Sequence, residues 1–250
     1  RARYPLPEQE FEAKNKRRMG LGVTGLANAA EALGYPYGSS QFLTFEARVL
    51  EQIRDECYLA SANLAHEKGT FPLYDQRYLK SPFIRELPEK IFERVRTYGV
   101  RNSHLLSIAP TGTMSFALDN VSSGIEPVFS FEQDRDVLTS DGMRTERVLD
   151  YGMRVFGVRG KRCASVTLDE HVSVLAVAAA RVDSAVSKTC NVGPGTLWED
   201  FKRVYDRAWE TSCKGITTFN PEGKRYGVLR SADGEEACTF DPVSGRKSCE

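Results

Sequence analysis

The stretch DEHVSVLAVAAARVDSAVSKTCNVGPGTLWEDFKRVYDRAWETSCKGITTF, residues 169–219, decides the fold class. Asp169 has the chemistry of an N-cap, and Val172, Leu175, Val177 and Ala178 recur at helical spacing toward Val182. The segment AVSKTCNV that follows reads as a strand. Thr196 and Glu199 have capping-box spacing for a second helix, with Phe201, Val204, Tyr205, Ala208 and Trp209 on one face. Gly215 ends that helix, and Ile216 to Phe219 resumes as a strand. Two successive helix–strand units imply parallel pairing with helices packed outside, since a parallel return needs a crossover. The chain is therefore of the α/β class.

Working outward, Phe42, Phe45, Val49, Ile53, Ala60 and Leu64 recur every three to four positions between Ser40 and His66. They predict one long amphipathic helix closing near Gly69. A chain of 250 residues can bury a sizeable core as a single domain. With 34 basic and 34 acidic residues the formal net charge is zero, so bulk electrostatics favour neither a nucleic acid polymer nor an anionic membrane. No apolar stretch approaches the length of a membrane span, and the charged N-terminal stretch lacks a signal peptide's apolar region. A cytoplasmic location is the expectation.

The segment NSHLLSIAPTGTMSFALDNVSSGIEPVFS, residues 102–130, is the stretch expected to touch substrate. Leu105, Leu106 and Ile108 form a short apolar strand pattern, which Pro110 and Gly112 end. If Met114 to Leu118 opens a helix, its first amides and the positive end of its dipole favour an anion, with Thr111, Thr113 and Ser115 adding hydroxyl donors. Strand–turn–helix joints of this composition are common, so the turn alone is compatible with binding nothing.

APTGTMS followed by SSGIEP resembles the phosphate-binding region of ribonucleotide reductase catalytic chains, in particular the adenosylcobalamin-dependent class II type. RRMGLGVTGLANAAEALG (17–34), LAHEKGTFP (64–72), GVRNSHLLSIAPTGTMS (99–115), DSAVSKTCNV (183–192) and WETSCKGITTFNPEGKR (209–225) are each similar to family segments, in the family's order. The resemblance covers about nine tenths of the chain. It implies the C-terminal portion of a ten-stranded α/β barrel over residues 1–228, followed by a flexible redox tail over 229–250. It also implies that Ala109, Pro110, Thr111, Gly112, Thr113, Met114 and Ser115 hold the substrate's phosphates.

The family's Asn-x-Cys-x-Glu loop, whose Cys carries the thiyl radical, does not occur here. The resemblance therefore implies a partner, an N-terminal reductase half bearing the radical cysteine, with a split enzyme as the favoured reading. Family chains that import a radical from a separate iron protein have tandem tyrosines near the strand that resembles GITTF. Thr217-Thr218-Phe219 has no tyrosine, so the resemblance implies adenosylcobalamin as the radical source, held largely or wholly with the partner half. The implied reaction is reduction of ribonucleotides to 2′-deoxyribonucleotides. The alternative is a non-catalytic partner that stabilises or regulates a reductase.

The six cysteines include no C-x-x-C and no metal-ligand spacing, and the three histidines are too widely spaced to suggest a shared metal site. Cys57, Cys163, Cys190 and Cys213 read as small buried hydrophobes. Cys238 and Cys249 lie in the polar tail SADGEEACTFDPVSGRKSCE, which has little to bury, so mobile, accessible thiols are expected. Arg246 and Lys247 favour the Cys249 thiolate, whereas Glu235 and Glu236 oppose that of Cys238. The resemblance implies that this pair re-reduces the active-site disulfide and is in turn reduced by a thioredoxin-like or other dithiol partner.

Gly20-Leu21-Gly22-Val23-Thr24-Gly25 spells G-x-G-x-x-G, yet the charged, helix-like PEQEFEAKNKRRM before it supplies no strand for a dinucleotide-binding unit. Glycines that permit close packing of a helix inside the barrel are the expectation there, as the resemblance also implies. Glu126 reads as part of a solvated turn, and Lys188 as structural.

Overall fold

The computed structural model describes residues 2–140, 142–193 and 195–220, together with the backbone of three two-residue strands, Arg230–Ser231, Thr239–Phe240 and Lys247–Ser248. The helices are α1 (Pro7–Lys16), α2 (Leu26–Ala32), α3 (Ser40–Lys68), α4 (Pro82–Arg85), α5 (Glu89–Tyr98) and α6 (Gly112–Ala117). A hairpin of β1 (Glu132–Thr139) and β2 (Gly142–Leu149) follows, then α7 (Tyr151–Phe156), α8 (Leu168–Ala179), β3 (Thr189–Asn191), α9 (Trp198–Glu210) and β4 (Thr217–Phe219).

Four extended segments lie side by side and run parallel. Met19 and Leu21 donate to the carbonyls of His104 and Leu105, each at 2.9 Å, and Ser107 N–H returns to Leu21 O at 3.0 Å. Ile108 donates to Ala185 O at 3.0 Å, and Ser187 to Ile108 O at 2.8 Å. β3 pairs in parallel with β4, Cys190 opposite Thr218. Each segment is reached from the one before through helices, as parallel pairing requires. The spatial order is 19–21, 104–108, 184–191 and 217–219, and the series does not close on itself among the described residues.

The principal core gathers α2, α3, α5 and the segment 105–108. Leu105, Leu106 and Ile108 are 2–3% exposed, as the apolar run predicts. α3 ends at Gly69 as expected, and Ser39 caps its start by accepting Phe42 N–H. Its buried stripe departs from the expected one: Phe42 is buried, but Ala60 and Leu64 face out, and Tyr58, Ser61, Ala62 and Ala65 carry the last turns inward. Over a helix of 29 residues a 3.6-residue period drifts around the axis, and Glu46 and Arg54 fall within the buried stripe.

A smaller core joins Val172, Cys190, Val204 and Ala208 between α8, β3 and α9. The caps here differ from the sequence reading. Thr167, not Asp169, caps α8, in a reciprocal capping box with Glu170. α9 begins after Leu197 with no side-chain cap, since Thr196 Oγ1 donates to Gly193 O, and it ends at Glu210, before Gly215. Trp209 is 85% exposed, so α9 buries a narrower face than predicted.

Candidate phosphate-binding site

The chain leaves the buried segment at Ile108, turns at Ala109–Pro110 and enters α6 at Gly112, two residues earlier than the apolar pattern indicated. Thr111 is the N-cap, yet its side chain caps nothing. Its hydroxyl lies 2.8 Å from Thr24 Oγ1 and 3.1 Å from Ser123 Oγ, and it accepts Gly124 N–H at 2.9 Å. Its own N–H donates to Ser123 Oγ at 3.0 Å. Thr24 Oγ1 in turn donates to Ser122 O at 3.0 Å and accepts Gly124 N–H at 3.1 Å. Three hydroxyls from three separate stretches of chain thus lock the turn from behind.

The front of the turn is open. Ala109, Pro110, Gly112, Thr113 and Met114 are exposed, and among the described residues a β-carbon built on Gly112 would meet no atom within 4 Å. Ser115 differs from the other predicted residues. It is buried and its hydroxyl donates to Gly112 O at 2.9 Å, so it braces the first turn of α6 from inside. After α6 the chain reverses through Asp119 and Asn120, both at positive φ, a conformation that Asp and Asn adopt more readily than other side chains. Asn120 is held there by Leu149 O, and Asn28 binds both Ser122 N–H, at 2.6 Å, and the Asp150 carboxylate. Burial raises the Asp150 pKa, opposed by its bonds to Asn28 and to backbone amides.

Beneath the turn lies a buried polar floor. Lys188 Nζ is 2.9 Å from Glu126 Oε2 and 3.0 Å from His171 Nδ1, and it lies over the Tyr37 ring. Glu126 Oε1 accepts Thr189 N–H at 2.5 Å, so Glu126 is an ion-paired anchor rather than part of a solvated turn. Tyr37 donates to Ile125 O at 2.7 Å. Burial and the Lys188 charge push the His171 pKa down to about 3, which keeps the imidazole neutral and able to accept from the ammonium. Glu46, fully buried with neither oxygen partnered, has its pKa held well above the carboxylate range by burial. Nothing local in the sequence marks Thr24, Tyr37 or Lys188 as belonging to this site, because their contacts span 62 to 88 positions.

The family model described as "Ribonucleotide reductase, barrel domain" matches residues 1–160. The chain belongs to the ribonucleotide reductase family. It is 33% identical over 258 residues to the vitamin B12-dependent ribonucleoside-diphosphate reductase of Mycobacterium tuberculosis H37Rv, covering 92% of this chain and 34% of that protein. The enzyme of the same description from Thermoplasma acidophilum is 28% identical over 260 residues, covering 93% and 32%. The ribonucleoside-diphosphate reductase large subunit of Vaccinia virus is 30% identical over 224 residues, covering 85% and 27%. The chain thus spans about a third of the length of these curated relatives, an extent consistent with a C-terminal part of the reductase.

The four parallel segments are accordingly an unclosed part of the reductase barrel. The G-x-G-x-x-G string begins in its first segment and ends at Gly25, the N-cap of α2, and Gly20 and Gly22 serve close contact with the next segment. A β-carbon on Gly20 would stand 2.5 Å from Ser107 Oγ, and one on Gly22 2.3 Å from Ser107 O. Close packing holds as expected, though between adjacent extended segments. Cys190 is buried in the smaller core, and Cys57 and Cys213 are partly buried. Cys163 is more than a space-filler: Asn191 Nδ2 donates to its sulfur at 2.6 Å, and burial, with Glu126 nearby, pushes its thiol up to about 12. Cys238 and Cys249 lie outside the described residues. Among the described residues no cluster of His, Cys, Asp and Glu could hold a metal ion, and no helix is long and apolar enough to cross a membrane.

Proposed function

We propose that this chain is the substrate-phosphate-binding part of a ribonucleotide reductase that converts ribonucleotides to 2′-deoxyribonucleotides. One observation carries the reading: the Ala109–Met114 turn is clamped from behind by Thr24, Ser123 and Gly124 while Ala109, Pro110, Gly112, Thr113 and Met114 are exposed at its front. A rigid turn with an exposed glycine lets backbone approach an anion closely. The first-turn amides of Thr113 and Met114 lack helical partners and face the same end of the α6 dipole. Holding the phosphates places the ribose, and small misplacements of a reacting group cost much rate.

The radical cysteine belongs to the remaining portion of the enzyme in this reading, as a second polypeptide or as the rest of a longer one. Adenosylcobalamin, a vitamin B12 derivative in keeping with relatives described as vitamin B12-dependent, would supply the radical when bound. The clefts on the α8–α9 side, about 300 and 430 Å³, are open, and charged side chains figure in the lining of both. As the resemblance implies, the reading assigns the cofactor largely or wholly to the remaining portion of the enzyme. Cys238 and Cys249 are assigned the re-reduction of the active-site disulfide, fed by a thioredoxin-like or other dithiol reductant.

Replacing Gly112 with Val in the assembled reductase tests the reading. Cytidine diphosphate should bind about tenfold more weakly, a loss of about 1.4 kcal/mol, with assembly intact. An unchanged dissociation constant would overturn the assignment of the turn. Full turnover by the remaining portion without this chain would instead favour a stabilising or regulatory partner.

A further inference from the structure

We propose that Lys188 is a positioning residue for the phosphate-binding turn, resting on the reading of that turn given above: through Glu126 it fixes the segment Ser122–Glu126, on which Thr111 is clamped. The Lys188 side chain is 1% exposed, and a buried ammonium persists only where partners replace its water. Glu126 Oε2 and His171 Nδ1 are those partners. Glu126 uses its other oxygen on Thr189 N–H, next to Lys188 in the chain, so one carboxylate is gripped twice by one short stretch around β3.

The grip is passed to the turn through covalent geometry and three hydrogen bonds. Glu126 N–H donates to Ser123 O at 2.8 Å, closing a tight turn that makes Ser123, Gly124 and Glu126 move together. Ser123 Oγ receives Thr111 N–H, and Gly124 N–H is donated to Thr111 Oγ1. The Tyr37 hydroxyl on Ile125 O adds a second strut from α3's side of the core. If Lys188 is lost, Glu126 remains partly buried without its counter-charge and is drawn toward water, taking Ser123 and Gly124 away from Thr111.

Buried ion pairs contribute little net stability, because desolvation offsets the attraction, but they specify geometry where their partners are constrained. Binding should therefore suffer beyond what loss of stability explains, and it should suffer through Thr111. The test is a double-mutant cycle in the assembled reductase, with cytidine diphosphate as the probe and unfolding midpoints measured alongside. Lys188→Met and Thr111→Ala should each weaken binding about tenfold, and the two together little more than either alone, because both release the same clamp. Glu126→Gln, which keeps shape and removes charge, should reproduce the Lys188→Met loss and carries the test if Lys188→Met fails to fold. Binding by both variants within about twofold of the parent, or a Lys188→Met/Thr111→Ala loss equal to the sum of the single losses, overturns the proposal. If Gly112→Val leaves binding unchanged as well, the failure lies with the phosphate reading of the turn and not with the strut alone.

Discussion

Gly22 and Gly112 occupy stretches of nearly the same composition, V-T-G after one and P-T-G ending at the other, in different surroundings. At Gly22 the backbone of Ser107 comes so close that a β-carbon would stand 2.3 Å from its carbonyl oxygen. At Gly112 the same added atom would meet nothing within 4 Å among the described residues. The first glycine permits contact inside the protein and the second is exposed at the front of its turn. A glycine motif therefore says that space is needed, and only the surroundings say for what.

The contrast is most directly broken at Gly22. Gly22→Ala should push the 19–21 and 104–108 segments apart and destabilise the fold by about 3 kcal/mol, the upper range for overpacking a site where backbone must move. Urea unfolding reads this, and a loss under about 1 kcal/mol would mean the two segments give way easily.

A smaller effect sharpens the contrast from beneath the open turn, where charge is buried. The His171 pKa is about 3 in the folded chain against 6.5 for an ordinary histidine. Between these values the unfolded chain binds the extra proton, so the His171 contribution to stability declines as pH falls from 6.5 toward 3. Glu46 works in the other direction, since a raised carboxyl pKa gives stability that is lost as pH rises above about 4.5. Comparing the parent with His171→Gln at a series of pH values isolates the histidine. The parent's advantage should shrink by a few kcal/mol as pH falls, and a difference that stays flat across the range would contradict a buried neutral imidazole.

The smallest effect is expected at the open glycine. Gly112→Ala stands in the first turn of α6 with no described residue within 4 Å of its methyl group and should leave stability unchanged or raise it by less than about 1 kcal/mol. Measured beside Gly22→Ala, a comparable loss at both sites would erase the distinction between them.

Much of the framework was legible along the chain because it is written in short-range patterns. The α3 helix from Ser40 to the Gly69 stop, the buried Leu105–Ile108 run and the parallel β3–β4 pair follow from periodicity and turn chemistry within a few residues. The misreadings were also local. Thr167 competed with Asp169 for the same cap, and Trp209 fitted the apolar spacing of α9 but is exposed. The β1–β2 hairpin was not anticipated, since its strands are rich in charge and lack the apolar alternation that marks a half-buried strand.

By itself the sequence determined the α/β class, the family to which the motifs belong and the Ala109–Ser115 turn as the place to look. These depend on neighbours in the chain, whose spacing is fixed by the geometry of helix and strand. Tertiary structure alone decided that Ser115 turns inward, that Thr24 joins Thr111, and that Glu126 and Lys188 meet under the turn. Hydrogen bonds and ion pairs act over about 3 Å whatever the separation along the chain, so partners 62 or 87 residues apart are identified only once the fold has brought them together.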